Sequence, residues 1–91
     1  MADINKRTEE ISRLVSKLTP ISDMAILLGV TEIELREALD DPTSPAAYAY
    51  KAAKARVALQ LRERDIELAS AGSPTAAENV GYYFRQMLQD E

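Results

Sequence analysis

Residues 21–39 read ISDMAILLGVTEIELREAL, and the spacing of their apolar positions decides the fold. Ile21, Met24, Ala25 and Leu28 recur at intervals of 3, 1 and 3, which lines one face of a short helix. Gly29 follows the last of them, where a chain can enter the left-handed conformation that glycine adopts cheaply, so the helix is expected to end there. Val30 adds an apolar side chain in the turn. Thr31 is placed to cap a second helix from about Glu32, with Glu34 completing a capping box. The inward residues of that second helix are Leu35, Ala38 and Leu39.

Two helices joined by a turn of this length form the supersecondary unit of many DNA-binding proteins. Leu28-Gly29-Val30-Thr31, with Leu35 and Leu39, resembles that helix-turn-helix pattern; two plain core helices joined by a glycine turn would read the same way. The charges on the second helix argue against ordinary groove reading. Glu32, Glu34, Glu37, Asp40 and Asp41 surround Arg36, one cation among six charges, whereas non-specific DNA affinity comes from Lys and Arg neutralising phosphates. A standard major-groove insertion of this helix is therefore not expected.

Upstream, Ile11, Leu14, Val15 and Leu18 predict a helix over about Ile4–Leu18 that ends before Pro20. Its outer face carries Lys6, Arg7, Arg13 and Lys17, candidate phosphate contacts, although Glu9 and Glu10 interrupt them as in a solvated face. Residues 1–41 thus predict a tri-helical helix-turn-helix head.

Downstream, Asp40-Asp41-Pro42-Thr43-Ser44-Pro45 breaks any helix crossing it. Ser44 can cap a helix starting at Pro45, and nothing stops that helix before Gly72. Such a helix of about 27 residues would extend roughly 40 Å. Tyr48, Ala52, Ala55, Leu59 and Ile66 form one apolar stripe along it, and Tyr50, Val57, Leu61 and Leu68 form another on nearly the opposite side. Two stripes require two packing partners. Ser73-Pro74 repeats the cap signal, and Ala76, Ala77, Val80, Phe84, Met87 and Leu88 predict a closing helix that doubles back as the first partner. Gly81 and the alanines would let the two backbones approach closely. The second stripe is then either covered by the head or, for Tyr50, Val57, Leu61 and Leu68, a contact between protomers, which favours a homo-oligomer. The fold expected is all-α, with a helix-turn-helix head and a long-helix antiparallel hairpin over residues 45–91, about five helices in one compact domain.

Composition narrows the function. The net charge is −4; residues 1–44 hold five cations against nine anions, and residues 45–91 hold six of each. The acidic half is the half with the DNA-reader shape. The chain has no cysteine and no histidine, which removes disulfides, thiolate chemistry and the commonest zinc ligands and catalytic base. With no glycine-rich phosphate loop and no nucleophile paired with a base, no enzymatic activity, metal, cofactor or small-molecule substrate is expected. No apolar run approaches the ~20 residues of a membrane span, and the polar start is unlike a secretory leader, so a cytoplasmic location and no membrane partner are expected.

Residues 48–62, YAYKAAKARVALQLR, and 66–76, IELASAGSPTA, are similar to the helical region of phage terminase small subunits. In that family a helix-turn-helix head precedes a long Lys/Arg-bearing helix, an ELA-x-x-G turn and a closing helix. The resemblance covers about residues 20–88. It implies five helices, ring assembly, recognition of double-stranded phage DNA at the packaging start, and partnership with a large ATPase and nuclease subunit in the host cytoplasm. The DNA contacts expected of this chain are Arg36, Lys51 and Lys54, then Lys6, Arg7, Arg13 and Lys17. Two other readings remain open: a small helix-turn-helix regulator, and a helical adaptor that binds protein only.

Overall fold

The computed structural model describes residues 3–91. It is all-helical: a 3-10 turn over Ile4–Lys6 precedes α1 (Thr8–Ser16), α2 (Ile21–Leu28), α3 (Glu32–Asp40), α4 (Pro45–Ser70) and α5 (Pro74–Gln89). No helix of the described residues is long and apolar enough to cross a membrane. The chain divides into two compact units at Val57 and Ala58, inside α4 rather than at the Pro42–Pro45 corner.

The helix-turn-helix forms as its spacing requires. α2 ends at Gly29, which takes φ 74°. The amides of Gly29 and Val30 return to the carbonyls of Ile26 and Ala25 at 3.1 and 3.0 Å, so the last turn keeps its hydrogen bonds. Thr31 Oγ1 accepts from the Glu34 amide at 3.1 Å, and the Glu34 carboxylate accepts from the Thr31 amide at 3.5 Å, which completes the capping box. Ile11, Met24 and Leu35 are fully enclosed, and Leu14, Val15, Ala25 and Leu28 close the core around them.

The first helix departs from expectation. Instead of one helix over Ile4–Leu18, a 3-10 turn capped by Asp3 gives way to α1, with the break at Arg7 (φ −108°). The cause is what Arg7 binds. Its guanidinium donates to the Leu28 carbonyl at the C-terminal end of α2 and pairs with Glu10 at 2.6 Å, so a cation caps the negative helix end. α1 also ends earlier, because Leu18 turns left-handed (φ 62°).

α4 enters this core through small side chains. Ala46, Ala49 and Ala53 are buried in the cluster with Tyr50 packed beside them, so the first turns of α4 belong to the head. The start of α4 is held from two sides. Ser44 accepts from the Ala47 amide at 2.9 Å while donating to the Ala38 carbonyl at 2.7 Å, and Asn5 Oδ1 accepts from the Ala46 amide at 3.2 Å.

Within Ala58–Glu91 the chain reverses at Gly72 (φ 100°) and Ser73 caps α5 through the Ala76 amide at 3.2 Å. Tyr83 donates to Asp65 at 2.6 Å, and the Arg62 guanidinium lies 5.5 Å from the Tyr83 ring centre. The close approach expected at Gly81 does not occur: a Cβ there would find only the Arg85 guanidinium, at 3.6 Å. Ala76 is the one buried hydrophobic of this unit among the described residues.

Candidate nucleic-acid and protein interfaces

The cations expected to contact DNA fall into three physical situations. Arg7 is committed to the fold, with its guanidinium shared between the Leu28 carbonyl and Glu10. Neutralising a phosphate would draw that guanidinium away from the end of α2. The bond from Arg7 also holds the Glu10 carboxyl below its ordinary 4.5. Arg36 is exposed but tied along its own helix to Glu32 at 3.0 Å, an i,i+4 pair. Lys6, Arg13 and Lys17 are exposed, but the break at Arg7 splits them between two helical segments instead of one continuous face.

Lys51 and Lys54 stand differently. Both project from the first half of α4, exposed, with Arg56 exposed further round the same helix. Lys54 Nζ sits 6.0 Å from the Tyr50 ring centre, near the outer limit for attraction to its π face. Between Asp41 and Glu63 the chain contains no carboxylate at all. This is the one long stretch where an approaching phosphate would meet cations without acidic neighbours on the same segment.

The motif helix α3 presents the opposite surface. Glu32, Glu37 and Asp40 are exposed around Arg36, with Ile33 at 70% exposure among them. At its end Asp41 accepts from the Thr43 hydroxyl at 2.7 Å and its amide at 2.9 Å, bonds that hold its carboxyl below the usual range.

Apolar side chains are also uncovered, and sequence periodicity assigns them poorly. Of the residues expected at a protomer contact, Tyr50 packs on the head's own core and Val57 is half-buried, whereas Leu61 and Leu68 are exposed. Leu59, Ile66, Phe84 and Met87 are all more than half exposed as well. On the head, Leu18, Ile26 and Leu27 meet at a shallow pocket that Lys17, Pro20 and Asp23 border. Hydropathy counts Ile26 and Leu27 with the core; only their position one step round from Met24 and Leu28 marks them as outward. Comparison with family models, with curated proteins and with solved structures returns no significant match.

Proposed function

We propose that the chain is the DNA-recognition small subunit of a phage packaging terminase: a protomer that binds double-stranded DNA as a homo-oligomer and recruits a large ATPase and nuclease subunit. The observation that carries the DNA part is the exposed Lys51 and Lys54 on a stretch of α4 free of carboxylates, beside a helix-turn-helix head. The family resemblance of residues 20–88 supplies the packaging role. The uncovered large apolar side chains of the hairpin support the protomer part, because burying them needs atoms that Ala58–Glu91 does not itself provide.

In this reading DNA lies against α4, and specificity does not come from α3 entering the major groove. Many weak lysine contacts, repeated by each copy, hold the duplex. Fluorescence anisotropy of a labelled duplex tests it. The expected result is binding that falls steeply with salt, is abolished by Lys51→Glu with Lys54→Glu, and is little changed by Arg36→Glu. Absence of binding at low salt to every duplex offered would overturn it.

One observation favours a second reading. The exposed acidic face of α3, with its sole cation tied to Glu32, suits a basic protein partner better than DNA, as in a helical adaptor. A protein-only adaptor gives no salt-dependent anisotropy change with any duplex.

A further inference from the structure

We infer that the groove between α1 and the first half of α4 binds an unpaired nucleotide of a DNA strand, its base against Tyr48 and its phosphates on Arg56 and Lys51. This goes beyond duplex binding and does not require it; the two share only Lys51. The two tyrosines of α4 are disposed differently. Tyr50 packs on the core of the head, whereas Tyr48 is 76% exposed and draws little burial from the fold. Its ring forms one wall of a shallow, open groove of about 460 Å³, inside the range of roughly 300–1,000 Å³ that holds a small ligand. Ala49 and Ala52 line the groove with methyl groups only, which leaves width for a second flat ring beside the tyrosine.

The two banks of the groove carry different chemistry. Arg56 stands on the α4 bank, and Glu9 stands on the α1 bank with the hydroxyls of Thr8 and Ser12. Neither Arg56 nor Glu9 belongs to the ion pairs among the described residues, which are Arg7–Glu10 and Arg36–Glu32, so both are left to bind an outside group. A ligand that satisfies both carries an anion next to a hydrogen-bond donor, and one that uses Tyr48 is flat. A nucleotide whose base bears an exocyclic amine meets all three conditions; an acidic peptide would satisfy the cations and leave Tyr48 and Glu9 unused. A carboxylate accepts from an amine such as cytosine N4, and hydroxyls can donate or accept along the same base edge. At 100° per residue, Arg56 lies about 80° to one side of Tyr48 and Lys51 about 60° to the other. The ring therefore stands between two cations, and a strand that stacks a base on it carries its flanking phosphates toward one and then the other. Paired bases have neither a free face nor a free edge, so the strand must be unpaired. The open side of the groove admits a nucleotide that is still joined to its neighbours.

Fluorescence anisotropy of the full chain at low salt and neutral pH tests this with labelled oligo(dC) and oligo(dT) of about 12 nucleotides and with a blunt duplex. Oligo(dC) should bind about tenfold tighter than oligo(dT), which has no exocyclic amine, and Glu9→Gln should close that gap. Tyr48→Ala should weaken oligo(dC) about tenfold with circular dichroism unchanged, because the side chain is exposed, while Tyr48→Phe keeps the ring and the affinity. Arg56→Gln should make the fall of log affinity with log salt shallower by about 0.7. Binding of the blunt duplex should be indifferent to Tyr48→Ala. The inference is overturned if Tyr48→Ala leaves oligo(dC) affinity unchanged or lowers duplex affinity equally, or if oligo(dT) binds as tightly as oligo(dC). Free dCMP that displaces oligo(dC) at the oligonucleotide's own concentration would put a free nucleotide in the groove and overturn the strand. A duplex that fails to bind while oligo(dC) still binds defeats the packaging function proposed above and leaves the groove standing.

Discussion

The head and the hairpin are built from similar apolar content and solve burial in opposite ways. Up to Val57, apolar residues from four helices and the 3-10 turn share one core in which Ile11, Met24 and Leu35 are fully enclosed. From Ala58 onward, Ala76 is the one buried hydrophobic among the described residues, while leucines, aromatics and methionine remain open. A two-helix unit cannot enclose side chains on more than one face, whereas a three-helix arrangement crossed by a fourth can. The head therefore encloses its own apolar side chains, whereas the hairpin leaves most of its own open.

Substitution in the two regions should separate most sharply at leucines. Leu35→Ala removes an enclosed side chain and is expected to cost about 2–5 kcal/mol in urea unfolding followed by far-UV circular dichroism. Leu61→Ala, at a site 51% exposed, is expected to stay within about 0.5 kcal/mol at dilutions where the chain is monomeric. Equal losses at the two sites would erase the distinction.

Glycines sharpen the same contrast with opposite signs. Gly29 sits at φ 74° with open space around it, so Gly29→Ala meets no clash and loses about 1–2 kcal/mol from backbone conformation alone. Gly81 has ordinary helical backbone, and Gly81→Ala should raise the stability of the monomer by about 1 kcal/mol. Loss of the Thr31 cap in Thr31→Ala should cost about 1 kcal/mol, all of it in the head.

The smallest effects lie in pH. Glu10 and Asp41 on the head have carboxyls lowered by bonds from Arg7 and from Thr43. Their contribution is present above the ordinary carboxylate range and is lost as pH falls through the lowered folded values. In the hairpin, Tyr83 is raised above 10.0 because it donates to Asp65. That contribution is complete below the ordinary tyrosine value and is lost as pH rises through the raised one. Alkali above pH 10.0 should therefore disturb the hairpin before the head, and acid below the ordinary carboxylate range the reverse, as read by amide signals assigned to each region.

How much of this was legible in the sequence follows the range of the interactions. The turn at Gly29, the Thr31–Glu34 box and the Ser44 and Ser73 caps each involve residues within a few positions, and all were readable. The break at Arg7 was not, because it depends on a carbonyl 21 residues away, nor was the Asn5 cap on α4, 41 residues away. Periodicity also weighted the large residues of α4 and overlooked that Ala46, Ala49 and Ala53 are what fit against the head. Of the candidate interface, the acidity of α3 and the run free of carboxylates around Lys51 and Lys54 were plain in the chain. The pocket at Leu18, Ile26 and Leu27 was legible only in part: helical spacing leaves Ile26 and Leu27 off the inward face, but it counts Leu18 as inward, and the left-handed turn that carries Leu18 outward shows only in the fold.

Sedimentation equilibrium of the full chain, from tens to hundreds of micromolar, tests most directly whether the hairpin's open apolar surface is covered by another copy. A mass that rises with concentration to a multiple of 10.1 kDa is the predicted result. A constant mass of 10.1 kDa across the range would contradict it.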